Sequence, residues 1–332
     1  MIFDRQKAIA EAPSQRTIFE DFIEIADLRP NTALTYKRAL EKYISYLEEK
    51  RINKPDEKTL NAYKKYLLTR PTKSGKSLSS ATVQLHIVAL RQFYSWCEEY
   101  GIYPNVSRFL HGVKVQTFFI RNPLTLEEAN KLINYAAEES KKGLKELRDY
   151  TMIYLILNLG LRTVEASRAD VDDIRKEGDY YFLYVQGKGK DSKDRPVRLI
   201  PYVVDVLKRY IKARNVDSGP LFLNTGNHNG KERIQPKVIS KTIKYYLKAV
   251  GLDSRLITAH SLRHTCATLA LANGASLEEV QQLLGHAQIT TTTIYTHLVD
   301  KFNNKSQTLV GEVLSKPTLD DDPLVVDKGD PK

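Results

Sequence analysis

Too little cysteine is present to frame the fold with disulfides: Cys97 and Cys266 are the two in 332 residues, a usage that suits a reducing cytosol. No apolar run approaches the roughly 20 residues a membrane-crossing helix needs. The opening MIFDRQKAIAEAPSQR has no long apolar core of the secretory type. A soluble, cytoplasmic protein without a membrane partner is therefore expected. Several familiar site patterns are missing too. The GKS at 75–77 is no phosphate loop, because Arg70 stands where the first glycine belongs. GKG at 187–189 is no dinucleotide fingerprint, since Ser192 replaces the third glycine and no βαβ unit surrounds it. His260 and His264 have the spacing of a zinc helix, but Ser261 occupies the place of its glutamate, so no metal or other cofactor is expected.

Acid is scarce as well. Lysine and arginine number 51 against 40 acidic residues, a net charge of +11. The stretch 317–332 holds five aspartates and two lysines, a net of −3, which leaves +14 on residues 1–316. A body this basic points to a polyanionic partner, most simply nucleic acid.

With 42% hydrophobic and 27% charged residues, the chain is long enough for about two domains with cores of their own. In LTYKRALEKYISYLEEK, Leu40, Tyr43, Ile44 and Leu47 recur at helical spacing while Lys37, Arg38 and Lys42 fall outside that set. Val83, Ile87, Leu90, Tyr94 and Cys97 do the same in the next helical segment, with Gly101 as its stop. Phe93, Tyr94 and Trp96 read as core, not as a base-stacking platform. Residues 103–123 lack a period and end near a proline, so they read as a linker. Thr125/Glu128 and Ser276/Glu279 have the capping-box spacing, and Gly285 should end the second of those helices. YTMIYLILNLG is a buried helix stopped by Gly160. YYFLYVQGKGKDSKDRPVRLI reads as two strands around a turn rich in glycine, lysine and aspartate. The rest should be helical.

Chemistry-bearing residues gather late in the chain. Four of the seven histidines lie between His260 and His297. His260 and Arg263, at i and i+3, should share a helix face away from Leu262, Cys266, Leu269 and Ala270. Arg162 follows the buried helix directly, where a cation needs a carboxylate or phosphate partner. Glu165 stands one turn on, and Lys188 sits in the hairpin turn. Lys190 and Lys193 compete with Lys188 for any role there. Tyr295 rides on ITTTTIYTHL, whose four consecutive threonines make a weak helix. Two arginines, a lysine, histidines and a tyrosine, without an acidic metal cluster, suit phosphoryl transfer on a phosphodiester. Arginine forks can hold the non-bridging oxygens, tyrosine can attack, and histidine and lysine can move the protons.

LGLRTVE, VQGKGKDSKDRPVRL, TAHSLRHTCATLALANG and LLGHAQITTTTIYTHL resemble, in order and spacing, the signature boxes of the tyrosine recombinase (phage integrase) family. The resemblance runs over roughly residues 124–300, and the first hundred residues resemble the family's helical core-binding domain. It implies Arg162 and Arg263 as phosphate-clamping arginines, Lys188 as general acid and His260 as general base. It also implies His286 as a second histidine on the phosphate, Tyr295 as the nucleophile, and Glu165 as the acidic support. TVEAS replaces the family's more usual Ile-Ser-Glu-Leu run, which alters packing but neither Arg162 nor Glu165. His264 is left as a packed or capping residue, and His297 as solvent-facing.

The expected fold is mainly α with a small β-sheet in the C-terminal domain. A helical, SAM-like core-binding domain (17–102) and a linker (103–123) precede a mixed α/β catalytic domain (124–316), and an acidic tail (317–332) reads as disordered. The resemblance implies an Xer-like or compact mobile-element recombinase whose two domains close as a clamp on double-stranded DNA with an inverted-repeat core site. It implies a monomer or weak dimer free and a homotetramer on DNA, a nucleoid-associated location, a 3′-phosphotyrosyl intermediate, and room for accessory proteins. The segment 302–315 is expected to dock on a neighbouring copy. A type IB topoisomerase and a non-catalytic DNA-binding protein on the same scaffold are the alternatives.

Overall fold

The computed structural model describes residues 15–71, 75, 77–115, 122–187, 190–224 and 232–296. The chain divides into two compact units, 1–118 and 119–332. It is mostly helical with one small sheet, as the sequence predicts.

The first unit contains α1 (Gln15–Ile25), α2 (Pro30–Lys50), α3 (Glu57–Thr69) and α4 (Ser80–Glu99). Pro30 opens α2 where its missing N–H costs nothing. Asp56 caps α3 and Ser79 caps α4 through their side chains. The apolar stripes meet in an aromatic core: Phe19 stacks on Phe93 at 4.2 Å between ring centroids, and the Tyr43 and Tyr94 hydroxyls bond at 2.9 Å. Phe93, Tyr94 and Trp96 are all buried here, as core residues should be. Tyr103, Val106, Leu110 and Val113 also pack on this core, so the described start of the aperiodic stretch 103–123 belongs to the first unit by its contacts.

The second unit is built around α6 (Leu144–Leu159), whose Met152, Ile153, Leu155 and Ile156 are fully buried. Against it lie α5 (Leu126–Glu139) and α8 (Pro201–Arg214), while α9 (Pro236–Ala249) and α10 (Ala259–Ala272) complete the helical layer. The capping boxes at Thr125/Glu128 and Ser276/Glu279 form at the starts of α5 and α11 (Leu277–Leu284). Short α7 (Thr163–Arg168) follows α6 directly.

The antiparallel sheet has the order β1 (Ile174–Glu177), β2 (Tyr180–Val185), β3 (Arg195–Leu199). Leu183, Val185, Val197 and Leu199 are buried on its inner face, the alternation that made the hairpin legible. β1 was not anticipated. Its IRKE offers one apolar residue, and its strand state comes from pairing with β2 in the register Ile174↔Leu183.

Candidate functional site

The carboxylate of Glu165 organises the site. It lies in the first turn of α7, fully buried. Arg162, the residue that caps α7, donates its backbone N–H to Oε2 at 2.8 Å and Nη1 to Oε1 at 2.7 Å. Arg195, at the start of β3, donates Nη2 to Oε2 at 3.0 Å. Arg263 brings Nη1 to 3.7 Å from the same oxygen. One carboxylate thus stands against three guanidinium groups, and the surplus positive charge favours an anion.

The arginines are held by helix ends. Arg263 donates to the carbonyls of Gly160, past the end of α6, and of Leu284, the last residue of α11, both at 2.6 Å. Arg195 donates to Leu283 O at 2.7 Å. Carbonyls at a helix C-terminus lack intrahelical partners and carry the negative end of the dipole, so they suit guanidinium donors. Burial, reinforced by Arg162, lowers the Arg263 pKa to about 10, and burial also lowers that of Arg195. Both Nε groups are buried and have no hydrogen-bond partner among the described residues. The expectation that Arg263 shares a polar face with His260 is corrected: Arg263 is 1% exposed and turned into the core, whereas His260 is exposed. Helical spacing could not anticipate the two carbonyl ends that make this burial tolerable.

Two glycines shape this junction. Gly160 has φ +61°, and a Cβ there would stand 2.5 Å from Leu284 Cδ2. Gly285 has φ +60°, and its Cβ would meet Arg195 Cδ at 2.6 Å. Each position needs both the left-handed backbone and the empty space.

Tyr295 is 1% exposed and packs with Ala267, Val280 and Leu284. Its hydroxyl lies 2.8 Å from His264 Nδ1. Burial pushes its pKa up to about 12, against the pull of Arg263 and Arg162. The His264 ring lies 4.3 Å from that of His260, edge to face. His286 lies parallel to Tyr295 with centroids 6.3 Å apart and shares a 2.9 Å bond between Nδ1 and Thr292 Oγ1. Burial, with Arg263 and Arg162 nearby, lowers the His286 pKa to about 4, so its imidazole is neutral at pH 7. The threonine run forms a 3-10 turn at Ile289–Thr291 rather than a continuous helix, with Thr292 fully buried.

The phage integrase family pattern matches residues 122–301, and the family's N-terminal SAM-like domain matches residues 19–101. The chain belongs to the phage integrase family. A tyrosine recombinase of Thermosipho africanus is 30% identical over 286 residues, 86% of this chain and 95% of that protein. XerD of Listeria innocua is 30% identical over 290 residues, 85% of this chain and 94% of that one. Among solved structures, XerH bound to difH substrate in a pre-cleavage complex has a TM-score of 0.66 at 22% identity, covering 92% of this chain and 86% of that one. At that identity the likeness speaks for the fold.

Of the site residues that the integrase resemblance implies, the structure brings Arg162, Glu165, Arg263, His286 and Tyr295 into one neighbourhood. It places His260 beside them through the ring of His264. Lys188 lies outside the described residues, as do His297 and the segment 302–315. The two competing lysines are engaged elsewhere. Lys190 Nζ is 2.7 Å from Asp194 Oδ2, and Lys193 Nζ is 2.5 Å from both Asp170 Oδ2 and Asp173 Oδ2. Two residues of this candidate site carry no signal in the sequence. Arg195 was hidden in a strand, with no local signal that its partner would be Glu165. The sequence places His264 as a packed or capping residue, and it is buried, but its bond to Tyr295 exists only in the fold.

Proposed function

We propose that Tyr295 is the nucleophile, that Arg162 and Arg263 clamp the scissile phosphate, and that Glu165, with Arg195, holds the clamp in place. As a member of its family, the protein is a site-specific recombinase that breaks and rejoins DNA. The observation that carries the residue assignment is the set of three arginines around one buried carboxylate, beside a tyrosine whose hydroxyl is already hydrogen-bonded to histidine.

In this reading the Tyr295 oxygen forms a bond to phosphorus as the P–O5′ bond breaks. The phenolic proton passes to histidine, with His260 as general base and His264 as the group that holds the hydroxyl beforehand. Lys188 delivers a proton to the departing 5′-oxygen, which leaves as a hydroxyl. With its pKa near 12, Tyr295 is a neutral phenol at pH 7, so attack needs that acceptor. The arginines stabilise charge on the non-bridging oxygens, and neutral His286 is proposed as a further donor to them. The phosphotyrosyl ester retains the bond energy, so a 5′-hydroxyl from a partner duplex reseals the strand by the reverse steps. Because Lys190 and Lys193 have carboxylate partners, Lys188 is the lysine of the hairpin we assign as general acid.

We further propose a tetramer acting on two inverted-repeat core sites, two domains embracing duplex DNA, and a role either in Xer-like resolution or in a compact mobile element. The relative named XerD supports the first setting. The test is a nicked suicide duplex carrying a core site selected from random duplexes by binding. Wild type should accumulate a covalent adduct at the 3′-phosphate. Tyr295→Phe should bind the same duplex and form none. A normal adduct yield from that variant removes Tyr295 from the role.

A further inference from the structure

Nine residues separate Val185, the end of β2, from Arg195, the start of β3. Hairpin loops usually run two to five residues, and a longer loop has correspondingly more conformations to choose among. Yet the residue proposed as general acid, Lys188, belongs to this loop. General acid catalysis is demanding in geometry, and a misplacement of about 1 Å can cost on the order of 100-fold in rate. A loop this long needs an anchor of its own.

The described part of the loop has one. Lys193 crosses to the corner between α7 and β1 and places its ammonium 2.5 Å from a carboxylate oxygen of both Asp170 and Asp173. That corner is itself cross-bonded. Asp173 Oδ2 also accepts the backbone N–H of Asp170 at 2.7 Å. Arg233 donates to Asp170 Oδ1 at 2.5 Å and to the carbonyls of Ser167 and Ala169. Asp172 accepts the N–H of Gly219 at 2.9 Å. The two carboxylates are balanced by two cations, and the Lys193 and Asp173 side chains are 26% and 8% exposed. A surface pair is screened by water and contributes little. This one is partly withdrawn from water, and breaking it strands charge.

On the loop side of the anchor, Lys190 N–H donates to Gly187 O at 3.2 Å and Gln186 Nε2 donates to Lys190 O at 2.7 Å. The described residues flanking Lys188 are therefore joined to each other, and Lys193 joins the far arm of the loop to the body of the unit. The corner follows within a few residues of α7, the helix that carries Glu165 and is capped by Arg162.

We propose that Lys193, clasped by Asp170 and Asp173, is a positioning residue for the general acid: it fixes the hairpin loop relative to the arginine clamp. This rests on the reading of Lys188 as the general acid. Lys193 is thus not a cation that follows the DNA backbone.

The experiment uses the full chain and the nicked suicide duplex described above, in two versions, with oxygen or sulfur at the 5′-bridging position of the scissile phosphate. A thiolate departs without needing a proton, because thiols are far more acidic than alcohols. Lys193→Met should cleave the oxygen substrate about 10- to 100-fold more slowly and the sulfur substrate at close to the wild-type rate. Lys193→Arg, which can still reach both carboxylates, should recover most of the oxygen rate. Lys188→Ala should show the same sulfur recovery from a larger loss. If Lys193→Met does not fold, Asp173→Asn serves, since it keeps an acceptor for the Asp170 amide and removes the charge. An unchanged oxygen rate, or equal losses on both substrates while Lys188→Ala recovers, overturns the clasp alone. No recovery on sulfur for Lys188→Ala overturns the general-acid reading and the clasp with it.

Discussion

Arg195 and Gly285 meet where β3 passes the end of α11, and the contact leaves no room for a methyl group: a Cβ on Gly285 would lie 2.6 Å from Arg195 Cδ and 2.7 Å from its Nε. The arginine that braces Glu165 is seated against a residue with no side chain. The left-handed turn at Gly285 also delivers His286, whose N–H bonds back to Gln281 O at 3.1 Å. One backbone position therefore governs both an arginine of the cluster and a histidine beside Tyr295.

Gly285→Ala should accordingly impair the site more than its size implies. The left-handed conformation costs an alanine about 1–2 kcal/mol, and Arg195 must shift to admit the methyl. The expected result is a lowered melting temperature together with cleavage reduced beyond what the lost folded fraction explains. Cleavage falling only in proportion to the folded fraction would show that Arg195 has no part in the reaction.

Arg195→Lys tests the brace itself. A lysine can reach Glu165 or Leu283 O but cannot hold both with a planar fork. Cleavage should drop by roughly tenfold or more, the effect of losing about 1.4 kcal/mol or more of transition-state stabilisation, while affinity for the duplex stays within a few-fold. Equal losses in affinity and rate would mark Arg195 as an ordinary DNA contact.

Acid should weaken both units, through one histidine each. Burial, with Lys42 adding, lowers the His86 pKa from 6.5 to about 4. Burial, with Arg263 and Arg162 adding, does the same for His286. Between about pH 4 and 6.5 these two histidines therefore bind more protons in the unfolded chain than in the folded one. Their contribution to stability is full above about pH 6.5 and is lost as the pH falls toward 4. Denaturant midpoints measured across that range should decline toward acid, and His86→Gln and His286→Gln should each flatten the decline. Slopes identical to wild type in both variants would contradict the assigned shifts.

Cleavage and rejoining should persist in excess EDTA without nucleotide, because the proposed arginine clamp would supply the positive charge that a metal ion supplies in other phosphoryl-transfer sites. Adduct formation on the suicide duplex is the readout. Activity abolished by chelation and restored by a divalent ion would call for a different mechanism.

Local signals made much of this protein legible in advance. Capping pairs such as Thr125/Glu128, the apolar stripe of α4, the inner-face alternation of β2 and β3, and the stop at Gly160 all act within a few residues, so their physics is written in the order of the chain. The motif boxes named Arg162, Glu165, Arg263, His286 and Tyr295 before any of them had a position. What the chain order could not state is which partner each cation and hydroxyl would find. Arg263 meets the carbonyl of Gly160 103 positions away, and Arg195 meets that of Leu283 88 positions away. The burial of Arg263, the brace by Arg195, the bond from His264 to Tyr295 and the strand β1 were decided by the tertiary fold alone. A buried charge or hydroxyl is tolerable only where distant segments bring it an acceptor or donor, and that meeting is a property of the folded chain and of no local stretch of it.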